Sequence, residues 1–101
     1  VKMSQFSLYS YECLPDAVKL EFSRELSQRL ALFMADIKTD DVLDALAIDN
    51  FVQTSGASED ASSVVSKLYS QISGGIQAGS GNQSLFNRIL NAFVESWNKI
   101  M

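Results

Sequence analysis

The chain has 101 residues, of which 47% are apolar and 20% charged, with a net charge of −4, one cysteine and no histidine. That length and apolar content suffice to close a single core without metal or disulfide staples, and they argue against a disordered segment, which lacks the apolar surface to offset ordering entropy. Without histidine there is no Ser-His-Asp or Cys-His catalysis, and a lone Cys13 permits neither an internal disulfide nor a cysteine-rich structural zinc site.

Residues 1–14 carry Met3, Phe6, Leu8, Tyr9 and Tyr11 in no clean period, which reads as a short helix or ordered arm. Cys13 leaves three readings open: a core residue, which is the commonest fate of a single thiol, an intermolecular disulfide, or a reactive nucleophile. Pro15 suits the first turn of a helix, and a helix is predicted over 15–37, with Val18, Phe22, Leu26, Leu30, Phe33 and Ile37 recurring at spacings of four and three. Thr39 is a natural N-cap for a second helix over 40–53, with Asp40 and Asp41 at its positive end. Its expected buried face is Val42, Leu43, Leu46, Ala47 and Phe51, leaving Asp44 and Asp49 toward solvent or a partner.

Ser58 is placed to cap a third helix over 58–76, striped by Ala61, Val65, Leu68, Ile72 and Ile76. Gly74 and Gly75 are expected to fray or kink its end, since each glycine costs about 1 kcal/mol relative to alanine inside a helix. Residues 78–82 then read as a loop. The last helix, 83–100, is the clearest, with Phe86, Ile89, Leu90, Phe93, Trp97 and Ile100 along one side. The predicted fold is an all-α single-domain bundle of four main amphipathic helices behind a short N-terminal helix or arm.

Charge is unevenly spread. Residues 36–60 carry −6, residues 1–35 are balanced and residues 61–101 carry +2. The few, scattered basic residues exclude nucleic acid, whose phosphates demand a row of Lys and Arg. No stretch approaches the roughly 20 apolar residues that span a bilayer, and the first residues lack the order of a signal peptide. Because the chain begins at Val1, it is read as a mature form or a piece of something longer.

Asp40, Asp41 and Asp44 are the groups from which acid–base or magnesium chemistry would be built, but the spacing fails the calcium-loop pattern, and capping acids on a solvated face is the plainer reading. Gly74, Gly75, Gly79 and Gly81 lack the Gly-Lys-Ser/Thr ending of a phosphate loop, and the serines of residues 55–73 form no Gly-x-Ser-x-Gly elbow. No cofactor or metal is expected. The candidate interaction residues are Asp40, Asp41, Asp44 and Asp49 for electrostatic self-association or docking on a basic partner, and Phe93 and Trp97 for an aromatic face shared between core and partner.

The serine-rich run from Ala61 to Leu68, the break from Gly79 to Asn82 and the phenylalanine-bearing helix from Phe86 to Trp97 resemble, in texture, the last two helices of spider-silk terminal domains. The resemblance covers residues 58–101 and implies a helical bundle that dimerises, in some members through opposed charge patches as pH falls, and an extracellular setting. The chain departs from that pattern in its tryptophan and its number of bulky aromatic residues. Three functions stand as expectations. A structural module would self-associate as a homodimer, a secreted or effector-type binding module would take a protein partner or a small apolar ligand, and an enzyme would need Asp40, Asp41 and Asp44 to converge.

Overall fold

The computed structural model describes residues 6–101, which are all-helical: α1 (Leu8–Glu12), α2 (Asp16–Leu30), a 3₁₀ turn (Ala31–Phe33), α3 (Met34–Thr39), α4 (Ala45–Gln53), α5 (Ala61–Ala78) and α6 (Gln83–Ile100). Helix α6 packs on both α2 and α5, while α4 leans on α2, α3 and α5. The shortest dimension is 19 Å, the thickness of two helix layers.

The stripes explain this arrangement. From α2 come Phe22, Leu26 and Leu30, from α5 Val65, Leu68 and Ile72, and from α6 Leu85, Phe86, Ile89, Phe93 and Trp97, all closed off from solvent in one cluster. Phe6 sits inside an aromatic group, its ring centroid 5.1 Å from Phe22, 5.1 Å from Phe93 and 5.5 Å from Trp97. Tyr11 anchors α1 there, 5.2 Å from the Phe22 ring, and its hydroxyl shares a 3.1 Å hydrogen bond with Ser62 Oγ. The Trp97 indole N–H has no hydrogen-bond partner among the described residues.

Several boundaries differ from the expectations. The helix predicted over 15–37 is interrupted, because the turn Ala31–Phe33 tightens to 3₁₀ and Phe33 leaves helical geometry at φ −111°, ψ 5°. Three residues per turn instead of 3.6 rotate the next segment, so α3 changes direction and packs on α4. Thr39 does not cap the next helix; its hydroxyl donates back to the Asp36 carbonyl, and Asp44 is the cap, accepting from the Ala47 N–H at 3.2 Å. Helix α4 therefore starts at Ala45, not near 40. Likewise α5 starts at Ala61, behind Asp60, and the Ser58 hydroxyl oxygen, rather than capping, is buried with no partner among the described residues.

The glycine pair does not end α5, which continues to Ala78 and closes on Gly79 in the left-handed conformation, φ 68°. The Ser80 N–H then bonds the Gly75 carbonyl at 3.1 Å, a closing bond typical of helix C-termini. Gly75 is there for space: a Cβ on it would lie 2.5 Å from the Phe86 ring. Asn82 caps α6 through the Leu85 N–H at 3.1 Å.

Candidate interaction surface

The 3₁₀ turn, α3 and α4 succeed one another along one edge, with α3 in contact with both the turn and α4. Three of the five large apolar side chains exposed among the described residues fall in this stretch of chain: Leu32 at 80%, Val42 at 44% and Leu46 at 85%. Val42 and Leu46 were expected in the core with Leu43, Ala47 and Phe51, but only Leu43 and Phe51 of that set are buried, and Ile48 takes the inward position. The later helix start is the reason. Val42 and Leu43 precede the helix, and within α4 the helical rotation puts Leu46 roughly opposite Ile48 and Phe51.

The acids of the same stretch are largely answered within the chain. Asp36 Oδ2 lies 3.0 Å from Arg88 Nη2, Asp44 Oδ2 lies 3.4 Å from Lys67 Nζ, and Asp49 Oδ1 lies 3.9 Å from Lys38 Nζ. Asp40 Oδ1 accepts from the Val42 N–H at 2.8 Å, which shapes the approach to α4. Asp41 is exposed and has no ion pair or side-chain hydrogen bond among the described residues. The Asp44 carboxyl is held below its ordinary value of 3.8, first by the Ala47 N–H, with desolvation opposing it and the Lys67 ammonium adding to the lowering. No group of three potential metal ligands forms among the described residues, so Asp40, Asp41 and Asp44 do not come together as a three-ligand metal cluster.

Phe93 and Trp97, expected to share an aromatic face between core and partner, are wholly inside the core and leave no aromatic surface on α6. Cys13 goes the other way: expected among core residues, it is exposed just beyond α1. Leu32 was not expected on this surface. Its signal was present, since it falls off the Leu30–Phe33 stripe, but a leucine out of phase has no stated destination until the turn beside it is known. The pairing of Lys67 and Arg88 with acids 23 and 52 positions earlier had no sequence signal at all.

A small all-α helical bundle is the class these features define. Comparison of the chain with protein-family models, with curated proteins and with solved structures finds no match. No helix among the described residues is long and apolar enough to cross a membrane.

Proposed function

We propose that this domain is a non-catalytic structural module that self-associates through the edge formed by the 3₁₀ turn, α3 and α4. The observation that carries the reading is the exposure of three large apolar side chains, Leu32, Val42 and Leu46, within this one stretch of chain. Single exposed leucines are ordinary, but apolar side chains concentrated on one edge and rimmed by polar residues mark an association surface. A two-fold interface needs a self-complementary patch, and apolar groups meet their own kind without penalty. Pairing of Asp36, Asp44 and Asp49 within the chain lowers the repulsion that two acidic edges would otherwise meet. The resemblance of residues 58–101 to silk terminal domains points to the same kind of role, a silk-type assembly domain being its specific form.

Sedimentation equilibrium tests this directly. The wild-type chain is expected to form a dimer, and the double variant Leu32→Ser/Leu46→Ser to sediment as a monomer with unchanged helical circular dichroism, because both side chains are already in solvent. A wild-type monomer throughout the concentration range would overturn self-association and favour the heterologous binding module.

A further inference from the structure

A cleft of about 220 Å³ lies between α4 and α5, on the side of α4 away from Leu46. Its floor is apolar, formed by Ala47, Ile48, Val64 and Leu68. Its rim carries two carboxylates, Asp44 and Asp60, against one ammonium, Lys67. The two carboxylates are not equivalent. Asp44 is fully employed, with one oxygen on the Ala47 N–H and the other 3.4 Å from Lys67 Nζ. Asp60 occupies the N-cap position of α5 yet makes no capping hydrogen bond, and no ion pair engages it among the described residues. Asp60, exposed at the rim, is thus the carboxylate without an ion pair among the described residues, while the cleft's single cation pairs with Asp44.

We propose that this cleft binds a small amphiphilic amine, its ring or short alkyl body lying on Ile48, Val64 and Leu68 and its ammonium meeting Asp60. Charge selects the class: with Asp44 paired to Lys67, the rim carries the net negative charge of Asp60, which favours a cation over an anion or a neutral molecule. Size restricts it further, because the space falls below the roughly 300–1,000 Å³ of sites for drug-sized ligands and suits a fragment of about ten heavy atoms. A site this small and half open gives affinity on the order of millimolar. The inference is independent of self-association, since the cleft and the Leu46 side of α4 face different ways.

The test is an amide-resolved NMR titration of the whole chain with 2-phenylethylamine, 2-phenylethanol and phenylacetate, which share a ring and differ in charge. Saturable shifts centred on Ala47, Ile48, Val64 and Leu68 are expected, with the amine bound about threefold or more tighter than the alcohol, a difference of half a decade in Kd, and phenylacetate weakest. Asp60→Asn, which removes no cap bond, is expected to bring the amine to the affinity of the alcohol. Ser63→Phe, at an exposed rim position, is expected to block all three while leaving the helical signal intact. Equal or tighter binding of phenylacetate, an amine preference that survives Asp60→Asn, or the absence of saturable shifts at these residues would overturn the proposal.

Discussion

Gly74 and Gly75 are neighbours in α5 with opposite surroundings, and they show how little residue type alone decides. A Cβ on Gly74 would meet nothing within 4 Å, whereas one on Gly75 would strike Phe86. Gly74→Ala is therefore expected to stabilise the fold by about 0.5–1 kcal/mol through reduced backbone entropy. Gly75→Ala is expected to cost about 1–3 kcal/mol by overpacking. Urea denaturation midpoints moving in opposite directions would establish the distinction; a common direction would contradict it. Asp44 makes a second residue-scale case. Its carboxyl is lowered in the folded state by the Ala47 N–H and Lys67, so the stability it contributes is present above 3.8 and is lost as pH falls through the lowered folded-state value. Asp44→Asn keeps a capping oxygen and removes the titration. Thermal unfolding scans should show the wild type losing more stability than this variant on acidification below 3.8, and parallel curves would contradict that assignment.

At the scale of elements, α1 is the instructive one. Five residues cannot hold a helix in water by propensity, because nucleation is unfavourable and few hydrogen bonds are gained after it. Its stability is borrowed from the side chain of Tyr11, which reaches the aromatic core and Ser62. Tyr11→Ala is expected to cost about 3–5 kcal/mol, as large aromatic truncations do. Tyr11→Phe, losing only the hydroxyl, is expected to cost about 0.5–1.5 kcal/mol. Hydrogen exchange should show the α1 amides opening faster in the alanine variant than in the phenylalanine one, and equal rates would mean that α1 is held by something else. The longer helices were legible because their stripes are long: 18 residues each in α5 and α6 offer about five turns of repeated apolar positions. The 3₁₀ turn was not, because Leu30, Phe33 and Ile37 keep helical spacing straight through it.

For the whole molecule, the acidic run of residues 36–60 loses much of its meaning as a separate patch once Arg88 and Lys67 reach back from α6 and α5. Attraction between opposed charge patches is weak in such a molecule, and apolar contact carries the proposed association. Two copies meeting along this edge bring Asp40 and Asp41 together, so the dimer of the sedimentation experiment should tighten with added salt, which screens exposed like charges. The chain by itself determined the helical class, the four long amphipathic segments and most of the core, because periodic burial is a local property written at spacings of three and four. It also determined the absence of histidine chemistry, which needs only a count. The tertiary structure alone decided that Leu46 faces outward, that Phe93 and Trp97 are wholly buried, that Asp36, Asp44 and Asp49 are paired and that Asp60 lines the rim of a cleft without an ion pair among the described residues. Each of these depends on which distant residue arrives opposite, which no local spacing records.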